Sequence, residues 1–157
     1  MAKNKDNIKM VLLDLDGTLL NNDKKIGHSD LEVLEELGKQ GVKRIFATGR
    51  TFYSCLQVLK NDHPFDYLVF SSGAGVYDWK NQRLLSSLTI EQKKVLEIEK
   101  ELIKLDLNFS IHFPIPDNHK YYYFRANGEA TDFDWRNSIY KDHSFELSNG
   151  YPLDFAT

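Results

Sequence analysis

The chain has 157 residues, a formal net charge of −3 and 41% apolar residues. That is room for one domain, or one domain and part of another, and the acidic balance gives no electrostatic support for binding nucleic acid or an acidic membrane surface. Cys55 is the only cysteine, so an internal disulfide is excluded. No apolar run is long enough to span a bilayer, and Met1–Asp6 is followed by no apolar stretch of the kind a signal peptide needs. A cytoplasmic location is expected.

In chain order, an apolar run climbs from Ile8 to Leu13 and ends on Asp14 and Asp16, with Gly17 turning the chain. The run is short and flanked by polar residues, as a buried strand is. Residues i and i+2 of extended backbone point to one side, so both carboxylates face the same way at the strand's carboxyl end. Open α/β sheets place their ligands there. Paired carboxylates repel and call for a hard divalent cation such as Mg²⁺. One could then act as nucleophile and the other as proton shuttle. Taken alone, Asp-Leu-Asp-Gly is equally an acidic turn.

A polar loop, residues 21–28, precedes Ser29-Asp30-Leu31-Glu32, which has capping-box spacing for a helix carrying Leu31, Leu34 and Leu37, with Gly41 as the stop. Residues 42–47 read as a second strand and Thr48-Gly49-Arg50 as the turn after it. Free amides and a hydroxyl at such a turn suit an anion, and Arg50 adds charge. Phe52, Cys55, Leu56 and Leu59 give the stripe of a second helix, with Cys55 as a core thiol. Residues 66–70 read as a third strand, which completes βαβαβ with parallel neighbours.

The pattern changes at Ser71. Residues 75–79 and 83–88 read as a hairpin. Gly73-x-Gly75 follows a strand, but Asp78 stands where a dinucleotide fingerprint needs its third glycine. Thr89-Ile90-Glu91-Gln92 has capping-box spacing for a helix with Val95, Ile98, Leu102 and Leu105 on one face. The charged run 97–104 reads as its solvated side. Phe109, Ile111 and Phe113 alternate as a half-buried strand does. Residues 120–125 read as an aromatic strand, packed rather than stacked on bases, and 131–141 as a helix. The boundary falls near Leu88. The histidines show no metal-site spacing.

The string Asp14-x-Asp16-Gly17-Thr18-Leu19-Leu20 resembles the nucleophile motif of the haloacid-dehalogenase-like (HAD) hydrolases, and its continuation to Ile26 resembles their Cof-type phosphatase branch. Thr48-Gly49-Arg50 resembles the second motif of that superfamily. Ser72-Gly73-Ala74 stands where the Cof-type branch often has Asn-Gly-Ala. The resemblance implies an α/β fold: a HAD-like Rossmannoid parallel sheet, as a partial core over residues 1–88, with an inserted α/β cap segment over 89–157. It implies Asp14 as nucleophile through an aspartyl-phosphate, and Asp16 as proton donor and then base. Mg²⁺ would sit on the Asp14 carboxylate and the Asp16 backbone carbonyl. Phosphate and substrate contacts would come from Thr48, Gly49, Arg50, Ser72 and Gly73, and Thr18 would fix the turn. The implied substrate is a small phosphorylated metabolite such as a sugar phosphate. The later lysine and Gly-Asp-rich motifs are not recognisable, so the chain reads as the N-terminal part of such a phosphatase. The alternative is a catalytically inactive fragment that binds metal or phosphate, or associates through an exposed sheet edge.

Overall fold

The computed structural model describes residues 8–147. The chain divides after Leu88 into two compact units, Met1–Leu88 and Thr89–Thr157.

The first unit is built on a five-stranded sheet in the order β1-β2-β3-β4-β5. Its strands are β1 (Met10–Asp14), β2 (Lys43–Ala47), β3 (Tyr67–Phe70), β4 (Gly75–Asp78) and β5 (Arg83–Ser87). β1, β2 and β3 run parallel, whereas β3–β4 and β4–β5 are antiparallel. The expected βαβαβ order is present, and the hairpin widens its sheet rather than standing apart. β1 lies at one edge.

Helix α1 (His28–Lys39) joins β1 to β2, and α2 (Phe52–Leu56) joins β2 to β3. Register puts Val11 and Leu13 on the same sheet face as Arg44, Phe46, Leu68 and Phe70. Both helices cover that face. Arg44 Nη1 donates to the Leu34 carbonyl of α1 at 3.0 Å, and Phe52 of α2 packs on Phe70 and Tyr77 with ring centroids 5.3 and 4.6 Å apart. Phe46, Leu68 and Phe70 are fully buried as a result. The opposite face carries Met10 and Leu12 of β1, which remain 50% and 62% exposed.

Neither capping box forms. α1 starts at His28 with Gly27 as its cap, so Ser29 already lies inside the first turn. Its end is as expected: Gly41 takes φ +77°, and Val42 N–H returns to the Leu37 carbonyl at 3.0 Å. α2 is capped by Thr51, whose Oγ1 accepts from Ser54 N–H at 3.2 Å. It is only five residues long. The stripe therefore holds at buried Cys55 and Leu59 and fails at Leu56, which is 45% exposed.

The second unit holds a separate three-stranded sheet, β6-β7-β8. β6 (Phe109–His112) and β7 (Tyr121–Phe124) pair antiparallel, as the alternating aromatics lead one to expect, with Phe109 and Phe124 rings stacked at 5.4 Å. β8 (Ser144–Glu146) adds in parallel to β7 and was not foreseen. Tyr121 is buried and its hydroxyl donates to Asn137 Oδ1 of α4 (Thr131–Ile139) at 3.0 Å. The aromatic strand is thus structural packing.

Helix α3 (Gln92–Lys104) corrects two expectations. It starts after Glu91, which leaves Thr89 too far upstream to cap it. Its inward face also turns differently: Glu99 is buried, while Ile98 and Leu105 are exposed. The charged run is therefore not wholly solvated.

Candidate functional site at the carboxyl end of the parallel strands

Parallel register sets this site. Asp14 ends β1 opposite Ala47, so Thr48 is the next residue at the same end of the neighbouring strand. Thr48 is buried and its N–H donates to the Val69 carbonyl at 2.9 Å, which fixes the turn against β3. Its Oγ1 accepts from Arg50 N–H at 3.2 Å. The turn Ser71–Gly73 folds back on it: Ser72 N–H donates to the Thr48 carbonyl at 3.1 Å, and Ser71 N–H to the Arg50 carbonyl at 2.8 Å. A Cβ on Gly49 would stand 3.6 Å from Ser72 Oγ. Thr48, Gly49 and Ser72 are therefore brought together, with Asp14 one strand away. Gly73 follows at φ +97° and serves the turn.

After β1 the chain turns tightly. Gly17 has φ +78°, and the Leu15 carbonyl accepts from Leu19 and Leu20 N–H at 3.1 and 2.8 Å. This turn lets Thr18 Oγ1 donate to Asp14 Oδ2 at 3.3 Å, a long contact that leaves the carboxylate open to solvent. Fully buried Leu15 anchors the turn between the two exposed aspartates.

Asp16 is held differently. Arg50 Nε donates to its Oδ2 at 2.6 Å and Arg50 Nη2 to its Oδ1 at 2.7 Å, a bidentate pair. Lys24 Nζ lies 3.3 Å from Oδ1. The Arg50 hydrogen bond, helped by Lys24, holds the Asp16 carboxyl below the usual carboxylate range against a smaller opposing effect of burial. Sequence reasoning gave Arg50 a role toward an anion and passed over Lys24. The missed signal is in Asn21-Asn22-Asp23: Asn21 Oδ1 accepts from Asp23 and Lys25 N–H at 2.9 and 3.0 Å, and this side-chain turn presents Lys24 at φ +58°.

The donors at this end are oxygens, which suits a hard divalent cation rather than a soft metal. Among the described residues no group of three or more His, Cys, Asp or Glu side chains forms a metal cluster. Cys55 belongs to the core. Burial pushes its thiol up to about 12, out of the range of a nucleophile.

Residues 11–154 match the haloacid dehalogenase-like hydrolase family. A relative from Buchnera aphidicola is 30% identical over 136 residues, covering 84% of this chain and 49% of its own length. The HMP-PP phosphatase of Yersinia pestis (strain Pestoides F) is 30% identical over 124 residues, covering 79% of this chain and 41% of that protein. The chain thus spans half or less of the curated relatives it matches. A phosphatase of the HAD superfamily from Bacteroides thetaiotaomicron superposes with a TM-score of 0.70 at 19% identity, over 94% of this chain and 53% of that one. The HAD subclass IIB sugar phosphatase BT4131 does so with 0.58 at 21% identity, over 89% and 52%. These structures share the fold. With an aspartate pair closing β1 and Thr48 beside it, a match over residues 11–154 makes this chain a member of the haloacid dehalogenase-like hydrolases, corresponding to their N-terminal part.

Proposed function

We propose that this chain carries the nucleophile-bearing part of a Mg²⁺-dependent phosphomonoester hydrolase acting on a small phosphorylated metabolite such as a sugar phosphate. The observation that supports it best is the Asp14–Ala47 register, which sets the Thr48 turn beside the Asp14 carboxylate. Thr48 Oγ1 and the Gly49 amide bind phosphoryl oxygens, and Arg50 adds positive charge. An Asp14 oxygen attacks phosphorus while the bond to the ester oxygen breaks, and protonated Asp16 gives its proton to the leaving alkoxide. Asp16, now a carboxylate, takes a proton from water as that water attacks the aspartyl-phosphate, releasing phosphate and restoring Asp14. Ser72 and Gly73 line the substrate side. Mg²⁺, when bound by the Asp14 carboxylate and the Asp16 carbonyl, supplies positive charge against the phosphoryl oxygens. Thr89–Thr157 acts as the cap that selects substrate, and the protein works in the cytoplasm.

Arg50 has a definite part in this scheme. While it grips both Asp16 oxygens, Asp16 is held as a carboxylate and cannot serve as acid. An incoming phosphoryl dianion competes for the guanidinium and frees Asp16 for proton transfer.

The test is beryllofluoride, which mimics an aspartyl-phosphate. Fluorine NMR of the purified chain with Mg²⁺ should show a bound signal that vanishes in Asp14→Asn. A bound signal indifferent to that substitution would remove Asp14 from its role.

The edge position of β1 favours a second reading, in which the chain is inactive alone and associates through that edge.

A further inference from the structure

At the other end of the same strands lies a polar pocket of about 400 Å³. Arg44 in its wall and Thr48 at the candidate site are four residues apart on one extended segment, roughly 13 Å by strand rise. The pocket therefore takes no part in the chemistry at Asp14. All its lining residues belong to the first unit.

Three of its side chains, Trp79, His63 and Lys80, offer a donor with no acceptor among the described residues, beside the acceptor oxygens of Asp66, Asn61 and Gln82. Trp79 is 2% exposed and its indole Nε1 is buried with no hydrogen-bond partner. The ring is fixed by stacking on Phe65 at 4.6 Å, which in turn stacks on Phe46 at 4.1 Å, so the N–H cannot turn away to find a partner. His63 Nδ1 accepts from Lys60 N–H at 3.3 Å, which leaves the proton of the neutral ring on Nε2. Burial, chiefly, keeps that ring neutral. Lys80 forms no ion pair among the described residues. Asn61 is exposed at the rim.

The one carboxylate in the wall is tied to Arg44 through one of its oxygens. Asp66 Oδ2 accepts from Arg44 N–H and Arg44 Nε at 2.9 and 3.0 Å, and Lys43 Nζ stands 3.8 Å from Oδ1. The Asp66 charge is therefore already balanced by Arg44 and Lys43. Lys80 leaves the pocket with positive charge to spare.

A set of donors with one spare cation fits a ligand that only accepts and is negative. We propose that this pocket binds a small molecule through a carboxylate or phosphate oxyanion, with the indole N–H of Trp79 and the Lys80 ammonium as its principal donors. The exposed Gln82 side chain, which bridges the Tyr77 hydroxyl and the Trp79 carbonyl, swings aside to admit it. The site is distinct from the Asp14 end and does not depend on the reading given for it.

The test follows the indole N–H by ¹H–¹⁵N NMR in a Trp135→Phe background, where Trp79 is the only tryptophan. Sodium phosphate and sodium citrate are titrated separately, with sodium chloride matching ionic strength. A saturable downfield movement of the Trp79 resonance at ~millimolar concentration is expected with one or both oxyanions. Phosphate alone or citrate alone narrows the class. The movement should persist in Asp14→Asn, at the far end of the sheet, and weaken about tenfold or more in Lys80→Ala, an exposed position whose change leaves the fold intact. No saturable movement, an equal movement with chloride, loss in Asp14→Asn, or an unchanged response in Lys80→Ala would each overturn the proposal.

Discussion

Arg50 and Asp16 are joined by two short hydrogen bonds, 2.6 and 2.7 Å, that tie the loop after β2 to the loop after β1. Arg50→Ala removes both, and the Asp16 carboxyl should rise toward its ordinary value of 3.8. The sign for stability follows. A carboxyl held low in the folded state stabilises above its unfolded pKa, and that contribution is lost as pH falls through the lower folded value. Arg50→Ala should thus flatten the stability curve below about pH 4. Asp16 is 41% exposed, so solvent screening limits the loss at neutral pH to about 0.5–1 kcal/mol. Carbon-13 NMR titration of the Asp16 carboxyl reads the shift directly. An unmoved titration in Arg50→Ala would mean that the pair does not persist in solution.

Gly75 begins β4 in register with Phe70, and a Cβ at Gly75 would fall within the buried Phe70 ring. Phe70 is fully buried and cannot retreat without disturbing Phe52. Gly75→Ala should cost about 1–3 kcal/mol, seen as a lower midpoint in urea unfolding. An unchanged midpoint would show that the hairpin yields locally.

Cys55 is fully buried and its thiol is pushed up to about 12. In native protein at pH 8 it should resist a disulfide reagent such as DTNB, and react at once in denaturant. Rapid labelling of the native protein would contradict a sealed core around α2.

Glu99 is buried in α3, and its Oε1 has no partner. Burial raises its carboxyl above the usual range. A raised acid disfavours the folded state once pH exceeds its unfolded value, so stability should climb as pH falls toward that value. Glu99→Met should stabilise at neutral pH by about 1 kcal/mol or more and remove that dependence. Differential scanning calorimetry at pH 5 and pH 8 decides it: a lower Tm for Glu99→Met at both would assign Glu99 a supporting contact.

Glu99 also marks where sequence reading stopped. The βαβαβ order and the antiparallel β6–β7 pair were legible because periods of two and 3.6 residues are local properties. Which way α3 turns is not local. One step of rotation exchanges Ile98 for Glu99, and only the surface it packs against decides. The capping boxes failed for a related reason: Ser29-x-x-Glu32 has the right spacing, but the chain enters the helix two residues earlier, through Gly27. At the site, Asp14, Asp16 and the Thr48 turn stood out as residue types after strands. The Arg50–Asp16 pair spans 34 positions, and no pattern in a single sequence announces it.

The exposed side of β1 leads to the last expectation. β1 ends the sheet, so among the described residues its outer backbone groups have no strand to pair with. Ile8, Met10 and Leu12 alternate on one face of it and are 61%, 50% and 62% exposed, while α1 and α2 both cover the other face. A continuous apolar ridge beside an open edge is where a second polypeptide adds. If the chain self-associates, Leu12→Lys should weaken association about tenfold or more, since it sets a charge in the middle of the ridge at a side chain that is mostly exposed. Far-ultraviolet circular dichroism should stay unchanged, because the Leu12 side chain is mostly exposed. Sedimentation velocity across a concentration series separates the outcomes. A concentration-dependent species in the parent chain that shifts to monomer in Leu12→Lys places the contact on β1. The same species surviving in the variant would move the contact elsewhere. A parent chain that stays monomeric at all concentrations would show that the β1 edge does not recruit a second copy of itself.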